Sequence, residues 1–337
     1  MTIFIETTIV SGSKESKPQG AEYRKREQKA HRWELDMQKS KKRNCILYIV
    51  GIISLLAVVI VCIKLPDWFQ KQDTAVQEVT YDKEVFDKDK IMSVAIEIEE
   101  TDWDAMLAAP LEKTYYPCSI VINGERYEQV GIRTKGNTSL KRVAEEGDSV
   151  RYGFKIEFDH YVKGQTCHGL DKMILNTHYA DATCMKEYLA YDMHSRMGIA
   201  TPLFSYADLT INETAWGLYL AVESIEEGFL QRNYGTTEGQ LYKPDYTQSG
   251  LFYKGADLSY RGEDPENYET ILNSAKLGAL SEEDISRMIT SLRHLEEKSD
   301  LETYIDVDQM LRLLSVNVCL MNDDSYFGSQ IHNYYLY

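Results

Sequence analysis

The chain has 337 residues, with 53 Asp/Glu against 37 Lys/Arg and a net charge of −16. That length holds up to two average domains, and the acidic balance excludes nucleic acid as a natural partner, since phosphate binding needs a basic footprint. The six cysteines show neither a CxxC pair nor a zinc-like spacing, and fit buried free thiols or a disulfide.

Residues 1–44 carry eleven Lys/Arg and six Asp/Glu, so the total charge is the balance of +5 here and −21 in the rest. This stretch reads as a basic cytoplasmic tail without a fold of its own. Residues 45–63, CILYIVGIISLLAVVIVCI, run for nineteen positions without a charge. That is enough for one transmembrane helix across about 30 Å of hydrocarbon. Lys39, Lys41, Lys42 and Arg43 precede it directly, and the positive-inside rule keeps them in the cytoplasm. The expected protein is single-pass in the cell membrane, with its C-terminal domain outside. Residues 64–90 read as a stalk and 91–337 as the folded domain.

That domain opens with a strand over 92–99 and a short helix started by Thr101, with Asp104 three residues on as a capping box. A hairpin follows, 115–122 with 125–134, turning on Asn123-Gly124, which tolerates the positive φ of a two-residue turn. Residues 151–159, RYGFKIEFD, alternate: Tyr152, Phe154, Ile156 and Phe158 take one face and Lys155 the other. Asp181 caps a helix over 182–197, in which Met185, Leu189, Met193 and Met197 recur as a buried stripe. A second hairpin, 203–211 with 216–223, turns on Asn212-Glu213. Beyond Gly235 the chain is mostly helical, clearest over 281–297 and 306–322, with a last strand over 332–337. Strands first and helices afterwards make an α+β arrangement.

The sequence has no GxxxxGK[ST], GxGxxG or HExxH. Its polar groups instead follow the parts list of phosphoryl transfer, which needs cations on phosphates and carboxylates or amides on Mg²⁺. The segment GIRTKGNTSL, 131–140, ends a strand and enters a loop with Arg133, Lys135, Asn137, Thr138 and Ser139, donors that suit phosphate and equally suit a solvated turn. Lys155 and Glu187 have the placement of a strand-lysine and helix-glutamate ion pair, or of two ordinary surface charges. Asp324 follows an apolar helix and Asn333 lies nine residues on, suiting a base with a metal-side amide, or plain helix termination. The histidines show no ligand spacing.

Read in order, GIRTKGNTSL, RYGFKIEFDHYVKGQTCHGLDKMILN, MKEYLAYDMHSRMGI, WGLYLAVESIEEGFLQRNYG, GQLYKP and NDDSYFGSQIHNYYLY resemble successive segments of the spore coat protein H (CotH) kinase family over about 115–337. The resemblance implies an atypical protein-kinase-like domain, hairpin-rich first and helical afterwards, that uses ATP and Mg²⁺ to phosphorylate Ser or Thr of coat or cell-surface proteins. By position, Asp324 resembles the catalytic aspartate, Asn333 its metal-side companion, and Lys155 with Glu187 the ion pair. Lys135, Asn137 and Ser139 would line the nucleotide, and Glu223 and Lys243 the linker between lobes. The family's PWD-type segment, with its metal aspartate, would fall after Tyr337, so the domain is expected to be incomplete here, a C-terminally truncated member that is inactive as this fragment. The alternative is a non-catalytic surface or coat-assembly module. An extracellular hydrolase lacks an identifiable nucleophile and base.

Overall fold

A computed structural model describes residues 80–337 except Tyr246, Gly250, Leu251 and Gln330. The expected tail, the span at 45–63 and the stalk as far as residue 79 lie outside the described residues. Among the described residues no helix is long and apolar enough to cross a membrane.

The stalk does not extend to residue 90. A short helix, α1 (Tyr81–Glu84), already belongs to the folded unit, with Tyr81, Val85 and Phe86 buried in the main core. Apolar side chains in that number gain more from burial than a solvated linker allows.

Seven strands form a closed barrel in the order β1-β2-β3-β4-β5-β7-β6. They are β1 (Met92–Ile98), β2 (Tyr116–Ile122), β3 (Glu125–Lys135), β4 (Gly153–Glu157), β5 (Lys172–Asn176), β6 (Phe204–Ile211) and β7 (Thr214–Glu223). Neighbours are antiparallel except β1 with β6, whose parallel pairing, Met92 opposite Ala207, closes the ring. Period-two alternation sends Val94, Ile96, Ile120, Ile132, Phe154, Ile156, Met173 and Leu175 inward, all at most 1% exposed. Both hairpin turns are the expected ones: Asn123 (φ 51) with Gly124 (φ 92), and Asn212 (φ 46) with Glu213 (φ 63).

The helix after β1, α2 (Glu100–Ala108), begins before Thr101 and has no side-chain cap; Glu100 and Asp102 instead place negative charge on its first turn. The loop expected after β3 contains a helix, α3 (Thr138–Glu146). The helix after β5, α4 (Lys186–Arg196), is shorter than expected and turned the other way. Met185, Leu189, Met193 and Met197 are 39–50% exposed, while Tyr188 and Tyr191 pack on Phe204 and Tyr206. The three tyrosine-bearing contacts bury large rings against the outer face of β6 and β7, and leave the methionine stripe outside.

The C-terminal part contains α5 (Glu227–Tyr234), a two-stranded ribbon of β8 (Thr247–Ser249) and β9 (Phe252–Lys254), α6 (Glu269–Leu272), α7 (Glu282–Glu297), α8 (Leu301–Tyr304) and α9 (Val307–Leu320). Ser281 and Asp284 form a reciprocal capping box on α7, and Asp306 caps α9. The final segment is no strand: Leu336 makes a single bridge to Tyr242. The four described cysteines, Cys118, Cys167, Cys184 and Cys319, are free thiols.

Two carboxylates dock α5 on the barrel. Glu223, 1% exposed, accepts from Tyr81 Oη, from Arg232 Nη2 at 2.6 Å and from the Leu203 amide at 2.8 Å. Asp171 accepts from the Gly228 amide at 2.7 Å, in the first turn of α5. Glu223→Gln should cost about 3 kcal/mol, since it leaves Arg232 without its buried counter-charge; the midpoint of urea unfolding reads it. Burial pushes the Asp171 carboxyl up to about 6, against the pull of the Gly228 amide and Lys172. A raised carboxyl contributes stability below about pH 4 that is lost as pH rises through about 6. Asp171→Asn keeps an acceptor without a charge, so thermal melts should show the variant gaining on wild type between pH 4 and 7.

Candidate functional site

The outer face of β3, β4 and β5 collects charge because the alternation that buries Ile132, Phe154, Ile156 and Met173 turns their neighbours out. Cross-strand register sets Arg133 opposite Lys155, and Glu157 opposite Lys172. Like charges directly opposite repel. Arg133 is drawn off over the Tyr115 ring, 5.2 Å from its centroid, and onto the Thr134 carbonyl at 2.9 Å. Lys155 turns to Glu226, 3.4 Å away, and Lys172 lies between Glu157 at 3.5 Å and Glu226 at 3.8 Å.

These partners leave the ammonium groups unequal. Burial holds Lys155 below the usual lysine range despite Glu226, with Lys172 adding like charge. Burial also opposes the charge on Lys172, but Glu226 and Glu157 outweigh it and raise that lysine. Lys155 is therefore the less compensated of the two.

A second relay crosses the end of the same face. Lys135 Nζ donates to Asn176 Oδ1 at 2.8 Å, and Asn176 Nδ2 donates to Glu187 Oε1 on α4 at 2.5 Å. Desolvation depresses Lys135 and raises Glu187, so each charge is held in a setting that favours its neutral form. Asn176 bridges them with one donor and one acceptor.

The C-terminal residues border this surface. Lys243 Nζ lies 5.5 Å from the centre of the Tyr335 ring, and burial together with the charge of Glu226 raises the Tyr335 hydroxyl. Two residues earlier, Asn333 (φ 55) donates to the Asp324 carbonyl at 3.2 Å, and His332 Nε2 lies 3.0 Å from Asp324 Oδ1. The loop between them depends on Gly328, where a Cβ would fall 1.6 Å from the Asp323 carbonyl oxygen.

Residues 132–337 match the family described as CotH kinase protein. The chain belongs to the CotH kinase protein family. It is also similar to the inner spore coat protein H of Bacillus subtilis (strain 168), at 26% identity over 201 residues, which cover 58% of this chain and 53% of that protein. The chain thus spans about half the length of the curated relative it matches.

Within the CotH match, the fold brings together some of the residues singled out in the sequence and separates others. Asn333 reaches Asp324, nine residues earlier, at its main-chain carbonyl and not at its carboxylate. Lys155 and Glu187 do not meet: Lys155 pairs with Glu226, and Glu187 is reached from Lys135 through Asn176. Lys155 sits at the middle of β4, whereas Glu187 meets Asn176, the last residue of β5. Asn137 precedes the first turn of α3, with Ser139 inside that turn. Glu223 belongs to the barrel interior, its carboxylate already engaged by Tyr81, Arg232 and the Leu203 amide.

Sequence reasoning passed over Lys172, Asn176, Glu157 and Glu226. The first two carried a readable signal, since alternation in KMILN sets Lys172 and Asn176 on the face opposite Met173 and Leu175. Glu226 had none, being one of three glutamates in ESIEE. Asn176→Leu removes both halves of the relay and should lower stability by about 2 kcal/mol, the cost of leaving buried polar partners unsatisfied; urea unfolding measures it, with the exposed Lys141→Ala as an unaffected control.

Proposed function

We propose that this chain is a membrane-tethered CotH-type protein kinase module, transferring the ATP γ-phosphoryl group to Ser or Thr hydroxyls of coat or cell-surface proteins. The observation that carries the reading is the under-compensated cationic face of Lys135, Lys155, Lys172 and Arg133. Phosphoryl transfer needs little covalent chemistry from a protein beyond positioning and charge stabilisation. Lys155, with Glu226 as its counter-charge, is suited to the α- and β-phosphates. Family membership and the spore-coat relative support the substrate class, and the apolar run at 45–63 supports the tether.

Mg²⁺ requires oxygen donors. No group of three or more His, Cys, Asp and Glu converges among the described residues. Asn333 would supply one amide oxygen, which suits Mg²⁺, an ion that takes most of its remaining ligands from phosphate and water. Bound there, Mg²⁺ would offset phosphate charge, with Asn333 as its protein-side ligand. Asp324, exposed and 3.0 Å from His332 Nε2, would accept the proton of an attacking hydroxyl.

A second reading, a non-catalytic coat-assembly module, draws on the apolar residues that α4 and α9 leave exposed, among them Leu189, Leu311, Val318 and Met321. Phosphate incorporation from labelled ATP, with Mg²⁺ and a coat protein as acceptor, separates the two. Asp324→Ala is expected to reduce transfer at least a hundredfold with an unchanged circular dichroism spectrum. Equal transfer by variant and wild type would refute the assigned role, and no Mg²⁺-dependent ATP binding by wild type would favour the assembly module.

A further inference from the structure

A cavity of about 560 Å³ lies against the first turn of α3, lined by Lys113, Gly136, Asn137, Thr138, Lys141 and Arg142 among others. It is within the size range of small-ligand sites. Its one carboxylate, Glu145, is engaged by Lys141 at 3.7 Å, and Arg142 is exposed with no carboxylate partner among the described residues. The wall is therefore net positive in a chain whose total charge is −16.

Lys113 belongs to a segment that precedes the CotH match at 132–337. It follows a 3₁₀ turn, Pro110–Glu112, and is itself left-handed (φ 55). The Pro110 carbonyl accepts from the Thr134 hydroxyl at 2.6 Å, which fastens this arm to β3. Lys113 Nζ then reaches Asn137 Oδ1 at 2.8 Å. That partner is a neutral amide. Desolvation, with the Arg133 charge nearby, holds Lys113 below the usual lysine range, and the fields of Lys113 and Lys243 also overlap.

The Asn137 side chain does not cap α3, so the first-turn amides keep their capacity to donate. A half-buried ammonium, an unpaired guanidinium and free helix amides around one cavity match a phosphate chain. We propose that Lys113 and Arg142 hold the phosphate tail of the nucleotide in this cavity, so that the arm preceding the CotH-matched region completes the nucleotide site. This rests on the nucleotide reading above.

Isothermal titration of the full chain with ATP and with adenosine, in the presence of Mg²⁺, tests it. Lys113→Gln preserves a donor to Asn137 and removes the charge; it should weaken ATP about tenfold and leave adenosine unchanged. Lys113→Arg should keep most of the ATP affinity, and Arg142→Gln should weaken ATP severalfold. If wild type binds both ligands and neither glutamine variant loses ATP affinity, this inference is wrong while the nucleotide reading stands. Equal weakening of ATP and adenosine would likewise overturn it, marking Lys113 as a support of the loop. A wild-type chain that binds neither ligand overturns both.

Discussion

The carboxylate of Glu223, shut inside the end of the barrel, is the constraint on which the rest of the structure depends. A buried charge without partners costs several kcal/mol, so three separate segments must converge on it. Tyr81 comes from α1, the Leu203 amide from the entry to β6, and Arg232 from the second turn of α5. Their convergence explains why α1 belongs to the folded unit and why α5 packs where it does. It also fixes the short connection after β7, and with it Glu226, which the two lysines share.

From that fixed point the outer face acquires its electrical character. Barrel closure buries one side of every strand, leaving charged residues no choice but the other side. On β3, β4 and β5 that side carries more cations than the available carboxylates neutralise: Glu226 and Glu157 serve Lys155 and Lys172, while Arg133 settles for an aromatic ring and a carbonyl. Such a face is stable enough to fold and remains short of negative charge. Phosphate is the ligand chemistry we propose for this deficit.

The hairpins were legible because their information is local. Asn123-Gly124 favours a left-handed turn by itself and Asn212 does so at the second hairpin, and alternation in β4 named its buried residues correctly. The starts of the helices at Ser281 and Asp306 were readable for the same reason. Burial of α4 was not. A four-residue recurrence of methionine and leucine identifies a face without saying what lies against it, and Tyr188 and Tyr191 had the better partners in Phe204 and Tyr206. The helix after β3 was hidden by residues that suit loops as well as first turns.

The candidate site divides along the same line. The sequence by itself determined which residue types were present in each segment, the order of those segments, their CotH likeness, and the face of each strand on which Lys155, Lys172 and Asn176 stand. The tertiary structure alone decided the pairings: Lys155 with Glu226, Lys135 with Glu187 through Asn176, Asp324 with Asn333, and Lys113 with Asn137. Side-chain direction follows from backbone periodicity, which spans a few residues. Partner choice depends on barrel closure through the parallel β1–β6 contact, which joins segments more than a hundred residues apart and leaves no periodic trace in the chain.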